Sequence, residues 1–120
     1  MYYAVLVGIN KYDHLGDLIY ARDDAESFKK ALVGNKNAIF LEDNVFLLME
    51  NYSDSGKPSL SNILEKLEEI CVSAREGDLI LFYFAGHGFD SNGQSYLAVK
   101  DTADKHALLR EKTALSVNAN

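Results

Sequence analysis

The sequence predicts an α/β domain: a mostly parallel sheet flanked by helices. Three observations carry that reading. Apolar runs at residues 2–9 and 79–85 are short and unbroken, the pattern of strands buried on both faces. Two stretches between them repeat apolar residues at helical spacing. The resulting order is strand, helix, strand, helix, strand. It calls for parallel strands joined by right-handed helical crossovers.

Residues 2–9 (Tyr-Tyr-Ala-Val-Leu-Val-Gly-Ile) read as the first strand, ending at residues 8–10. A polar loop follows at 10–17, with Tyr12, Asp13, His14 and Gly16. Leu18, Ala21, Ala25, Phe28 and Leu32 then recur every three or four residues, which is one helical stripe. Asp23, Asp24 and Glu26 lie early in this helix and Lys29 and Lys30 late, as the macrodipole favours. Gly34 and Asn35 suit its end. Residues 38–41 read as a packed apolar loop, 45–49 as a second strand and 51–58 as a loop rich in turn residues. Ser59 or Ser61 caps a second helix, whose stripe is Leu60, Ile63, Leu64, Leu67, Ile70, Cys71 and Ala74 and whose end is Gly77. The third strand follows. Beyond it, residues 90–93 signal a turn and 95–99 a short strand. Residues 101–112 read as a polar segment anchored by Leu108 and Leu109, and 113–117 as a short apolar end. Three strands are few for such a sheet, so one edge is expected to lie uncovered.

Bulk properties narrow the function. At 120 residues, 48% hydrophobic and 25% charged, the chain is one globular domain. A net charge of −6 with no basic stripe argues against a nucleic-acid partner. No apolar run approaches the ~18 residues of a membrane span, and no leader pattern precedes the first strand. The single cysteine, Cys71, permits no internal disulfide. A cytoplasmic protein with a native amino terminus is therefore expected. Val7-Gly8-Ile9-Asn10 fits neither a phosphate loop nor a dinucleotide fingerprint, and Asp13, His14 and Asp17 match no metal-site spacing. No cofactor and no metal are expected.

His87 is the leading candidate for chemistry. It ends the third strand, read as a central one, on the rim where open α/β sheets place ligands. Gly86 and Gly88 on either side leave the backbone free to turn and let another group come close. A free imidazole exchanges its proton near neutrality, and the Gly88 N–H lies one residue along, a donor for a developing oxyanion. The residues alone leave two readings of His87 open, a structural histidine and a catalytic base. Cys71, the only thiol, sits on the apolar stripe of the second helix and reads as packed against the sheet and inert. Asp23 and Asp24 point about 100° apart on their helix. They serve either as dipole charge on a solvated face or as an acidic lining for a cationic side chain on the His87 rim. His106 reads as solvated.

These residues resemble the caspase and metacaspase fold, and most of all the bacterial caspase-like peptidases. The matching stretches are Ala4-Val-Leu-Val-Gly-Ile-Asn-Lys-Tyr12, Ala21-Arg-Asp-Asp-Ala25 and residues 78–88 ending in Phe-Ala-Gly-His-Gly. Tyr96-Leu-Ala-Val and Thr113-Ala-Leu fit the same order. The resemblance implies a caspase-like three-layer sandwich, incomplete in this chain: residues 1–120 as the large-subunit-like part, ending before the nucleophile strand. It implies a cysteine endopeptidase acting on protein or peptide substrates. His87 matches the catalytic histidine, Gly88 the oxyanion-hole glycine, and Asp24 the aspartate that receives a basic residue before the cut bond. Ala21 and Ala85 stand where metacaspases usually carry cysteine and serine, and Arg22 matches no caspase specificity arginine. The family's cysteine follows a further strand, about 50 residues after the histidine, and no cysteine follows His87 here. The implied partner is the missing carboxy-terminal part, or a second chain, bearing that cysteine. On this reading the chain alone is inactive. The alternative is a non-catalytic caspase-like module that binds or regulates a partner through its open sheet edge. A flavodoxin-like or receiver-like domain would need an acidic cluster at its strand ends, which this chain lacks.

Overall fold

A computed structural model describes residues 1–50 and 56–117. The first sheet is built from β1 (Tyr2–Gly8), β2 (Val45–Met49) and β3 (Leu79–Ala85), all parallel, in the order β2-β1-β3. Helix α1 (Ala21–Val33) joins β1 to β2, and α2 (Leu60–Ser73) lies between β2 and β3. Alternation along β1 separates two cores. Ala4 and Leu6 face α1 and pack with Ala25, Leu47 and Met49. Val5, Val7 and Ile9 face the other way and pack with Ile63 and Ile70 of α2. Helix, sheet and helix thus make three layers.

The third strand departs from expectation. It was read as central and buried on both faces, yet β1 is the central strand and β3 is an edge. Leu79 and Ile80 are 46% and 37% exposed. An apolar run reports what its faces touch and says nothing of how many strands flank it. Among the described residues β3 pairs with β1 on one side and with no strand on the other, as does β2.

Helix α1 starts at Ala21, later than its apolar stripe suggested. Leu18 belongs to the preceding loop and packs into the α2-side core, not with Ala25 and Phe28. Gly8 explains how α1 sits on the sheet: a Cβ there would meet the Ala21 carbonyl and the Ala25 Cβ at 2.8 Å. The first turn of α1 therefore rests on the carboxyl end of β1. Of the loop expected to pack at 38–41, Phe40 is buried against Tyr2, whereas Ile39 and Leu41 are exposed. Of the loop read at 51–58, residues 51–55 lie outside the described residues. Ser59 is the cap of α2, its hydroxyl accepting from the Asn62 N–H at 3.3 Å. The helix ends at Ser73, and Gly77, with φ +91°, makes the turn into β3 instead of terminating the helix. At that turn the Asp78 carboxylate accepts from the Met1 ammonium (2.6 Å) and the Arg75 N–H (2.8 Å). These bonds, the first above all, hold its carboxyl below the usual range.

After His87 the chain forms a second, antiparallel sheet of β4 (Gly88–Ser91), β5 (Gln94–Leu97) and β6 (Leu115–Ser116). Its hairpin turns on Asn92 and Gly93, both with positive φ, the two-residue Asn-Gly signature. The expected strand at 95–99 thus begins one residue earlier and ends at Leu97. A short helix α3 (Ala107–Lys112) lies in the polar segment. Leu108 and Leu109 are exposed and anchor nothing. Buried Thr102 does that work: its hydroxyl accepts from the Val99 N–H and donates to the Thr113 carbonyl, both at 2.8 Å.

Candidate active site

The site is assembled at the carboxyl ends of β1, β2 and β3, and Glu50 begins it. Its side chain, 6% exposed, follows β2 and accepts from the backbone N–H groups of Asn10 (3.1 Å) and Lys11 (3.2 Å). The Arg22 Nε lies 3.9 Å from the same carboxylate. Asn10 then stitches its loop to α1. Its Oδ1 accepts from the Arg22 N–H at 3.1 Å, its Nδ2 donates to the Ile19 carbonyl at 3.2 Å, and its own carbonyl accepts from Leu18. Tyr20, the residue before the helix, supplies no side-chain cap, so Asn10 caps α1 from a distance.

This anchored loop delivers Tyr12 to His87. The Tyr12 hydroxyl accepts from the His87 backbone N–H at 2.8 Å, across a separation of 75 residues, and the two rings lie 4.9 Å apart. Burial pushes the Tyr12 phenol up to about 12. The His87 N–H opposes that rise and the Glu50 charge adds to it. Gly86 makes the approach possible: a Cβ there would fall on the Tyr12 hydroxyl and 2.9 Å from the Phe84 ring. The close approach expected of the flanking glycines is thus realised at Gly86. Neither Gly86 nor Gly88 has a positive φ. A Cβ on Gly88 would meet only the Tyr96 carbonyl, at 3.4 Å.

The imidazole itself is oriented. Nε2 lies 2.8 Å from the Gly16 carbonyl oxygen. A carbonyl oxygen only accepts, so Nε2 carries the proton of this bond, and in the neutral ring Nδ1 holds the lone pair. The His87 carbonyl in turn accepts from the Ala98 N–H at 2.9 Å. His87 is therefore held through its amide, its carbonyl and its ring. Tyr12 and Gly16 make two of these contacts, and the sequence singled out neither for the role. The Gly-Ile-Asn-Lys-Tyr motif, at the carboxyl end of the first strand and so on the rim of the histidine, was the available signal.

The other candidates are placed as follows. Gly88 adjoins His87 at the mouth of a cavity. Asp24 is exposed in the first turn of α1, on the rim at which β1 and β3 end, in no described contact with His87. Cys71 is exposed, contrary to the packed reading. It lies one residue, or about 100°, past buried Ile70, and on the same flank as exposed Leu64. It remains remote from His87. Cys71 lies near the end of α2, beside the turn that enters β3, whereas His87 follows the far end of β3. Seven strand residues separate those ends, roughly 20 Å at ~3.3 Å each. Asp13 and Asp17 pair with Lys100 and Lys11. His106 is exposed. Among the described residues no three His, Cys, Asp or Glu side chains cluster as a metal site, and no helix is long and apolar enough to cross a membrane.

A three-layer α/β domain with a histidine tethered on the carboxyl rim of a parallel sheet defines a caspase-like class of fold. Comparison with known proteins gives the family. The family described as metacaspase, peptidase C14 domain, matches residues 3–111, and the chain belongs to it. It is 32% identical over 85 residues to metacaspase-4 of Arabidopsis thaliana, covering 71% of this chain and 20% of that protein. It is 31% identical over 85 residues to metacaspase-6 of the same plant, covering 71% and 23%. It is also 27% identical over 95 residues to metacaspase-1 of Plasmodium falciparum, covering 78% and 16%. The chain thus spans about a fifth of the length of these relatives.

Proposed function

We propose that this chain supplies the histidine half of a metacaspase-type cysteine endopeptidase. The carrying observation is the tether of His87: its amide on Tyr12 and its Nε2 on the Gly16 carbonyl leave Nδ1 as the ring's acceptor. Nδ1 takes the proton of a cysteine thiol. The thiolate attacks the peptide carbonyl, and the developing oxyanion accepts from the Gly88 N–H. The protonated Nδ1 then gives its proton to the leaving amine. In the second half, Nδ1 takes a proton from water, which hydrolyses the acyl-enzyme and frees the thiol. Asp24, in the first turn of α1, receives the residue before the cut bond, with a preference for Arg or Lys.

The nucleophile comes from outside residues 1–120, because Cys71 lies at the opposite end of the sheet. The exposed edge of β3 offers the open ladder on which a further strand carrying it would pair. The same remoteness of Cys71 favours one competing reading, a non-catalytic caspase-like module in the cytoplasm that works by binding. The test is peptide cleavage by a protein that joins this chain to its cysteine-bearing continuation. His87→Ala is expected to lower kcat by at least about 100-fold, the scale of general acid–base catalysis. Unchanged cleavage ends the proposal. Absence of any cleavage by the parent, with stable capture of a partner on the β3 edge, establishes the module.

A further inference from the structure

Glu50 is a buried ionisable group that the proposed chemistry leaves unused. Its side chain is 6% exposed, and a carboxylate so placed is costly unless donors surround it. The β1–β3 ladder ends where the Ile9 N–H donates to the Ala85 carbonyl at 3.0 Å. The next two amides along the chain go to Glu50 instead. Its Oε1 accepts from the Asn10 N–H at 3.1 Å and the Lys11 N–H at 3.2 Å. Both lie within hydrogen-bond reach, whereas the Arg22 Nε, at 3.9 Å from the same oxygen, lies beyond it. The carboxylate thus binds the start of the loop after β1 more closely than it binds the Arg22 Nε.

That loop carries the tether of His87. Tyr12, one residue past the second held amide, meets the His87 N–H, and the Gly16 carbonyl meets Nε2. Between them the Asp13 N–H donates to the Lys100 carbonyl at 3.0 Å, and the Leu18 N–H closes the loop on the Asn10 carbonyl at 2.6 Å. Asn10 is therefore both the residue Glu50 holds and the residue on which the loop closes. The Glu50 charge is also felt at the Tyr12 phenol, where it adds to the rise that burial causes. Helix α1, which carries Asp24, is seated separately, by the contact of its first turn with Gly8.

We infer that Glu50 is a positioning residue for His87. By accepting from the Asn10 and Lys11 amides it keeps Tyr12 and the Gly16 carbonyl where they fix the imidazole. The inference rests on His87 being the catalytic base and names the side chain that orients it. Its test is nitrogen-15 NMR of the neutral His87 ring in the 120-residue chain, with three substitutions. Glu50→Gln keeps an acceptor oxygen at the same reach and loses the charge. Glu50→Asp keeps the charge and withdraws it by about one bond length, ~1.5 Å. Glu50→Ala removes both. Glu50→Gln is expected to keep a single tautomer with the proton on Nε2, as in the parent, and Glu50→Asp and Glu50→Ala to average between tautomers. In a cysteine-completed protein the latter two are expected to lower kcat by about 10- to 100-fold, the scale of a small misplacement transmitted to the reacting groups. KM stays nearly unchanged, since the seat of α1 is untouched. A merely structural Glu50 would lower the melting temperature and leave the ring as it is, so a folded Glu50→Ala protein with a single Nε2–H tautomer overturns the inference. A tautomer kept in Glu50→Asp or lost in Glu50→Gln overturns it as well, and these two variants decide if the alanine variant fails to fold. The NMR readout needs no thiol. Failure of this inference is therefore distinguishable from failure of the peptidase reading, which cleavage by His87→Ala decides.

Discussion

β1 and β3 lie side by side, paired from Tyr2↔Leu79 to Gly8↔Ala85, and both are almost wholly apolar. Their surroundings differ. Ala4 to Val7 of β1 are completely buried between α1 and α2, whereas every residue of β3 keeps some exposure and, among the described residues, no strand pairs with its outer edge. The central strand holds the fold, and the edge strand presents the site. His87 stands at the end of the less sheltered strand, so its position cannot come from β3 alone. It comes from the loop that follows β1, which sends Tyr12 to the His87 amide and the Gly16 carbonyl to its ring. The rigid strand lends its order to the open one through that loop.

The widest gap between the two strands should appear in core truncations. Leu6→Ala in β1 is expected to cost about 2–5 kcal/mol of stability in urea unfolding. Leu79→Ala in β3, already half solvated, is expected to cost less than about 1 kcal/mol. Equal costs would mean that the edge of β3 is covered in solution. Alkaline unfolding probes the link between the strands. The unfolded chain releases the Tyr12 proton near 10 and the folded one only near 12. Stability from this group is therefore complete below pH 10 and falls as pH rises to 12, by a loss on the order of 3 kcal/mol. Tyr12→Phe should flatten that part of the profile, and an unchanged profile would remove Tyr12 as its source.

Gly86→Ala places a methyl on the Tyr12 hydroxyl and is expected to cost about 1–3 kcal/mol while shifting the His87 resonances. A neutral outcome would show that Tyr12 does not hold this position. The smallest expected effect is at Cys71. Cys71→Ser should change stability by less than about 0.5 kcal/mol and leave the cleavage rate of a cysteine-completed protein unchanged. Lost cleavage would show that this thiol reaches the site after all.

Local pattern made much of this legible. The α2 register, its Ser59 cap and the span of β2 follow from spacing and capping chemistry within a few residues. The rim position of His87 follows from the order of elements. Other features depend on distant partners. Periodicity showed that the β3 residues are apolar, and could not show that β1 lies between β2 and β3. Leu18 continues the spacing of the α1 stripe, yet the bonds made by Asn10 hold its loop outside the helix and turn it to the opposite core. Cys71 looked packed because the α2 stripe was drawn too wide, as exposed Leu64 on the same flank shows. In the site, Gly-His-Gly and the aspartate pair were visible as motifs. The contacts of Tyr12 and Gly16 with His87 join residues 75 and 71 positions apart, and no local rule reaches that far.

The proposal that His87 acts as a base rests on the tether of Nε2 to the Gly16 carbonyl, which leaves Nδ1 as the ring's acceptor. Nitrogen-15 NMR of its imidazole in the neutral form tests this directly. The account predicts a single tautomer, with the proton on Nε2, shared with the Gly16 carbonyl, and Nδ1 unprotonated. A proton on Nδ1, or rapid averaging between the two tautomers, would contradict it.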